Sequence, residues 1–486
     1  MLELSYVESL AGNYRIARDW ALRAAALESH SIDGRVSLVQ RLRTFNEVPV
    51  LRGLVARWLC DVPPATPLLV ECARQLINLN DFDSAQQCAD LAAVTAPEDL
   101  SVRLVRGLLL AHRGRIDEAA ADFNWALRRN PRIALAWWLL ARLQTQTAQS
   151  NHVEQLQMLL RIPGLQPSDV AALARALHKE LDDLGDHSGA WQALEWMGRA
   201  KRCIEPYDSK EGRAVVDALI EWSSRRSAET AQHEGGRTPL FVLGMYRSGT
   251  TLLAQMLDGS PEVLGLGELC DFSSAMRHAT DHYSRDVIDR VTVARAASVD
   301  FTEVGRRYLD GIAWRLGDEP FFIDKLPANF LNIGFICRAL PQAKILHMVR
   351  DPLETCFSNL RELFTGINAY SYDQLQLADY FIQYRRLMAH WHGLHPGRIL
   401  DIDYAELTRD PEAVMRKVAA FCGVGFIEAM SDPRSSTRPV STASGVQVRD
   451  RVVRRQSPKW LPYAEYLKPL IQALREGGVE IREPPT

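Results

Sequence analysis

The stretch Pro239-Leu-Phe-Val-Leu-Gly-Met-Tyr-Arg-Ser-Gly-Thr-Thr-Leu-Leu-Ala-Gln-Met-Leu257 decides how the chain is read. Leu240 to Leu243 is a short apolar run of the kind a buried strand presents. Gly244 to Gly249 predicts a tight loop, because glycine tolerates backbone angles that a Cβ forbids. From Thr250 to Leu257 the apolar residues recur at helical spacing. Strand, glycine loop and helix in that order make an anion cradle. The first N–H groups of the helix face the anion, and the helix dipole reinforces them.

The interval from Gly244 to Gly249 is that of a nucleotide-binding P-loop, with one change. Where an ATPase places Lys beside a magnesium-binding hydroxyl, this chain has Thr250 followed by Thr251, and the cation of the loop is Arg247 instead. The loop is therefore suited to an anion other than a magnesium-bound triphosphate. Arg247-Ser248-Gly249-Thr250-Thr251 resembles the 5′-phosphosulfate loop of sulfotransferases, enzymes that use 3′-phosphoadenosine 5′-phosphosulfate (PAPS) and need no metal. Tyr246 stands where that family usually has Pro, which implies a changed shape on the substrate side rather than a lost loop.

Downstream segments extend the resemblance. Phe321-Phe-Ile-Asp-Lys325 reads as a strand with a Lys at its C-terminal end, the end that faces the ligand crevice in an α/β sheet. Lys344 to Val349 is the next strand, followed by Arg350-Asp351-Pro352 and a helix running through Ser358, with Asp351 suited to the N-cap. Ile399 to Ile402 is another strand, followed by Tyr404. The resemblance implies that backbone amides of Ser248 to Thr251 hold the 5′-phosphate and that Arg247 and Lys325 hold the sulfonate and the departing oxygen. It also implies that Arg350 and Ser358 clamp the 3′-phosphate, as a bidentate guanidinium suits phosphate. Tyr404 would lie near the adenine, although a strand-end aromatic also packs cores. Thr442 to Arg449 and Ser457 to Trp460 resemble the family's C-terminal loop over the cofactor, with Ser444, Gln447, Arg449 and Lys459 as contacts.

Sulfuryl transfer to a hydroxyl needs a base. Glu268, after a turn at Gly267, is the candidate that similar enzymes imply. Tyrosylprotein sulfotransferases carry Glu-Glu-Thr-Arg where this chain has Glu268-Leu269-Cys270-Asp271, so their substrate-binding Arg is missing here and a tyrosine acceptor is weakened. His278 and His282 are rival bases without a surrounding motif.

Upstream of the loop the chain is helical. Gly107, Leu110, Gly114, Ala119, Phe123, Ala126 and Pro131 follow the tetratricopeptide (TPR) pattern of small and large positions. A second clear copy lies 34 residues earlier at Ala73, Leu76, Ala85, Ala92 and Pro97, and two degenerate ones follow at Trp137, Leu140 and Ala141 and at Leu181, Gly185, Ala190 and Leu194; the segment before residue 60 is a further repeat or a cap. Trp191 and Trp196 suit core packing better than ligand stacking. The whole chain resembles the TPR-containing sulfotransferases. The organisation expected is an all-α TPR solenoid at 1–224, a polar linker at 225–238 and an α/β P-loop domain with a parallel sheet at 239–486.

Composition excludes other classes. With 486 residues and a net charge of −3, there is no global case for nucleic acid or membrane binding. The basic stretch from Arg434 to Lys459 lacks the aromatic interleaving of a nucleic-acid site. The eight cysteines show no metal spacing. The N-terminus has no basic n-region or apolar h-region, so a cytoplasmic protein is expected. The function expected is a PAPS-dependent sulfotransferase whose TPR groove favours a peptide or protein acceptor. A carbohydrate or small-metabolite acceptor, and a scaffold that binds nucleotide without turnover, stay open; so does a homodimer. A P-loop kinase is disfavoured by Thr250.

Overall fold

A computed structural model describes residues 1–27, 31–60, 65–224, 236–364, 366, 368–436, 438 and 457–481. The expected contacts Ser444, Gln447 and Arg449 lie outside these residues, as does most of the expected linker.

The C-terminal half is built on five parallel strands: β1 (Thr238–Gly244), β2 (Val263–Gly265), β3 (Phe321–Asp324), β4 (Lys344–Val349) and β5 (Ile399–Asp403). Their order is β2-β3-β1-β4-β5. Side chains alternate between faces, and both faces are covered, so the strands read as continuous apolar runs. Leu240, Val242, Ile323 and Leu346 pack beneath the helices Thr250–Leu257 and Pro411–Cys422. Phe241, Leu243, Phe322 and Ile345 face the other way, toward the helices Phe301–Ile312 and Gln374–Leu394. Each fully buried aromatic or aliphatic side chain here contributes about 1.5–3 kcal/mol. The chain crosses from β3 on one side of β1 to β4 on the other, which opens a crevice at the strands' C-terminal ends.

The N-terminal half is a run of antiparallel helix pairs: Leu2–Leu10 with Tyr14–Leu27, Ile32–Thr44 with Val48–Cys60, Thr66–Asn78 with Phe82–Thr95, and Leu100–His112 with Ile116–Arg129. Gly107 lets the last pair close: a Cβ there would lie 2.7 Å from the Phe123 ring, and Ala119, Phe123 and Ala126 are fully buried. In the second pair, Ile32–Thr44 packs more closely against Thr66–Asn78 than against Val48–Cys60, and its sequence carries little of the expected small-residue pattern.

The helices Pro167–Asp183, His187–Ile204 and Ser209–Ser224 share one continuous core with the sheet's helices. The Trp222 ring meets Phe335 edge-on at 4.5 Å, and Trp191 stacks on Tyr466 at 5.1 Å, which is the packing role expected for that Trp. Arg361 reaches Asp182 at 2.5 Å. Among the described residues no helix is long and apolar enough to cross a membrane. The eight cysteines are free, five of them buried.

Candidate active site

The loop after β1 lies at the crevice. Gly244 and Gly249 both take positive φ, 143° and 110°. A Cβ on Gly244 would stand 2.7 Å from the Met348 carbonyl oxygen of β4, and one on Gly249 would stand 2.5 Å from the Tyr404 ring. Gly249→Ala therefore strains the backbone and strikes a ring at once. The variant is expected to lose about 1–3 kcal/mol of stability in chemical denaturation.

Arg247 also lies in the left-handed region, at φ 67°, where a non-glycine residue is uncommon. That turn sends its side chain inward. Its Nε donates to Ser358 Oγ at 3.2 Å, and its guanidinium stands 3.8 Å from the Glu362 carboxylate. Burial lowers its pKa, and the Glu362 charge opposes that shift.

Arg350, at the end of β4, donates to the Arg247 carbonyl at 3.0 Å and to Glu354 at 2.7 Å, and lies 4.5 Å over the Tyr404 ring. Asp351 caps the helix Pro352–Leu360 by accepting from the Glu354 N–H at 2.9 Å, which carries Ser358 up beside Arg247. The backbone N–H of Lys459 donates to Glu354 Oε1 at 2.8 Å, so the segment after residue 457 is tied to the same helix. Arg247, Arg350, Ser358 and Tyr404 thus form one cluster above Gly249. Glu354 and Glu362 were not singled out in the sequence, because a Glu in a helix carries no local sign of its partner.

Glu268 and Lys325 meet directly: Lys325 Nζ donates to Glu268 Oε1 at 2.5 Å. The Lys325 side chain is only 3% exposed and that of Glu268 34%, so the pair stands at the edge of the buried region with its carboxylate outermost. The Lys325 N–H also donates to the Gly267 carbonyl at 3.0 Å, locking the turn to the end of β3. Tyr246 is buried with its ring edge-on to Phe364 at 5.6 Å, and burial together with the nearby Glu268 charge raises its phenol well above the ordinary value. The rival bases stand elsewhere. His282 Nε2 pairs with Asp289 at 2.7 Å. His278 stands among Arg307, Arg18 and Arg15, and burial and those charges lower its pKa to about 4.

Beneath Lys325, Asp324 is fully buried and accepts from the Tyr308 hydroxyl at 3.1 Å. Burial raises its pKa well above 3.8. A carboxyl that holds its proton more tightly when folded stabilises the fold fully below its unfolded pKa. That contribution is lost as pH rises through the folded pKa. Asp324→Asn is expected to flatten the fall in stability between about pH 4 and neutrality, measured by denaturation across that range; an unchanged slope would show that Asp324 does not titrate with folding.

One group among the described residues has the spacing to hold a metal ion: His347, His392 and Asp401. It lies on β4, β5 and the helix Gln374–Leu394, apart from the Glu268–Lys325 pair, and Asp401 already receives hydrogen bonds from both imidazoles, at 2.7 and 2.9 Å.

Residues 239–428 match the model of the sulfotransferase family. The sheet with its glycine loop lies within that match. An uncharacterised protein of Aquifex aeolicus (strain VF5) is 30% identical over 386 residues, covering 77% of this chain and 50% of that protein. A protein-tyrosine sulfotransferase of Drosophila melanogaster is 26% identical over 197 residues, or 39% of each chain. The present chain therefore spans half or less of these curated relatives. Among solved structures, the sulfotransferase domain from the Synechococcus PCC 7002 olefin synthase is 20% identical and covers 53% of this chain and 100% of its own, with a TM-score of 0.34. The matched range holds Glu268, Lys325, Arg247, Arg350, Ser358 and Tyr404; Lys459 lies beyond it.

Proposed function

We propose that the protein is a PAPS-dependent sulfotransferase that moves a sulfuryl group to an acceptor hydroxyl. The observation that carries this is the convergence, around one glycine loop, of two guanidinium groups and a hydroxyl (Arg247, Arg350, Ser358) and a carboxylate–ammonium pair (Glu268–Lys325). The residues fit the donor. Glycine at 244 and 249 lets the loop curl tightly against β4 and Tyr404, and Arg and Lys supply the charge that a nucleotide with several phosphates requires.

When bound, PAPS supplies the sulfuryl group and a stable leaving phosphate. Amides of Ser248 to Thr251 would hold the 5′-phosphate, and Arg350 with Ser358 would hold the 3′-phosphate. Glu268 accepts the proton of the acceptor hydroxyl as its oxygen bonds to sulfur. Lys325, which donates to Glu268 in the free protein, would neutralise the charge that develops on the oxygen leaving sulfur. Tyr404 supports Arg350 and the loop from the adenine side. Tyr246 shapes the acceptor side next to Glu268.

The helical repeats, of TPR type in this reading, favour a peptide or protein acceptor, as does the similarity to a protein-tyrosine sulfotransferase. Calorimetry with 3′-phosphoadenosine 5′-phosphate, ADP and magnesium-ATP tests the reading. Binding that persists in EDTA and weakens by about ten- to a hundredfold without the 3′-phosphate is expected. Preference for magnesium-ATP would turn the reading to a phosphotransferase, and binding of none of them to a scaffold.

A further inference from the structure

The helix-pair turns repeat one conformation. Gly12, Asn46, Asn80 and Gly114 stand at 34-residue intervals and all take positive φ, from 56° to 83°. Each ends its helix in the same way. The N–H of the following residue reaches back to the carbonyl of Glu8, Leu42, Leu76 or Leu110 at 2.9 Å, the double-bonded helix stop that demands a left-handed residue. Glycine meets that demand without strain, and asparagine is the side chain that tolerates it best after glycine. The two middle turns therefore carry Asn where the outer two carry Gly. Stopping the helix does not require that difference.

The docking of the two halves supplies a reason. Successive turns lie along the segment from Gly267 to Asp281. The N–H of Arg15 donates to Asp281 at 2.8 Å. The Phe45 carbonyl accepts from Ser274 at 3.1 Å, and Asn46 Nδ2 donates to the buried carboxylate of Asp271 at 2.9 Å. Asn80 Nδ2 donates to the carbonyl of Glu268 itself at 3.0 Å. Gly267 makes this approach possible: a Cβ there would lie 3.2 Å from Asn80 Nδ2. The Glu268 turn is gripped from the sheet by Lys325 and from the helical repeats by Asn80.

We propose that Asn80 is a positioning residue for Glu268, and that the helical repeats take part in the reaction by setting the backbone of the base. This rests on the reading of Glu268 as the base. Asn80 touches neither donor nor acceptor; it holds the carbonyl, and through it the direction in which the Glu268 side chain leaves the turn.

The sister turns provide the test. Asn80→Gly keeps the left-handed stop, as Gly12 and Gly114 do, and removes only the amide. Asn80→Asp keeps the size of the side chain and replaces the donor by an acceptor. Both variants are expected to melt at the wild-type temperature and to bind 3′-phosphoadenosine 5′-phosphate with wild-type affinity. Both are expected to lose about ten- to a hundredfold in kcat, the cost of a misplaced reacting group, with KM for the donor unchanged. Wild-type kcat in either variant would overturn the inference while leaving the sulfotransferase reading intact. Full-length wild-type protein that binds the nucleotide but transfers no sulfuryl group to any hydroxyl would overturn both.

Discussion

Glu268→Gln is expected to lower kcat by about a hundred- to ten-thousandfold, the range over which a positioned general base acts. The substitution is chosen for what it spares. Glutamine keeps the length of the side chain and an oxygen that still accepts from Lys325 Nζ, so the turn after Gly267 retains its geometry. It cannot take a proton. Affinity for 3′-phosphoadenosine 5′-phosphate, measured separately by calorimetry, is expected to hold, because the 3′-phosphate contacts assigned to Arg350 and Ser358 come from the end of β4 and the helix that follows it. Turnover at the wild-type rate would remove Glu268 from the role. The arrangement of the rivals gives little alternative: His282 is committed to Asp289, and His278 is held neutral within a group of arginines.

Lys325→Met is expected to lower kcat by about a hundred- to a thousandfold, as the loss of one preorganised charge facing a developing anion does. It is also expected to weaken donor binding. That second effect separates the two variants, since Glu268→Gln leaves donor binding alone. Methionine follows the path of the lysine stem, which is almost wholly buried, and the orphaned carboxylate, one-third exposed, rehydrates. Thermal denaturation is therefore expected to change little, and single-turnover rates with saturating donor measure the chemical loss directly. A variant that turned over normally with weakened donor affinity would reduce Lys325 to a ground-state contact.

Much of this site was legible because its parts are local. A glycine loop between an apolar strand and a helix has one geometry, and the polar residues that end β3 and β4 must emerge at the crevice. Those elements put Lys325, Arg350 and Ser358 at the crevice, while the roles expected of them came from the resemblance to sulfotransferases, and Asp351 marks its helix start by chain chemistry that involves only its neighbours. The helix-pair region was legible where small residues recur, around Gly107 and Ala119. It was less so before residue 60, where the recurring feature is a backbone angle that Gly and Asn both adopt. Glu354 and Glu362 went unnoticed because each acts through a partner brought to it by folding.

The sequence by itself determined the glycine loop, the strands buried on both faces, and the helical period upstream, since each follows from glycine, from continuous apolar runs or from helical spacing. Only the tertiary structure decided what the two halves do to one another. Asn80 and Glu268 are 188 residues apart, and Asp182 and Arg361 are 179 apart. Such contacts depend on how a stack of helices is laid against a sheet, and that is fixed by the shape and summed burial of a shared core, which no local pattern of residues records.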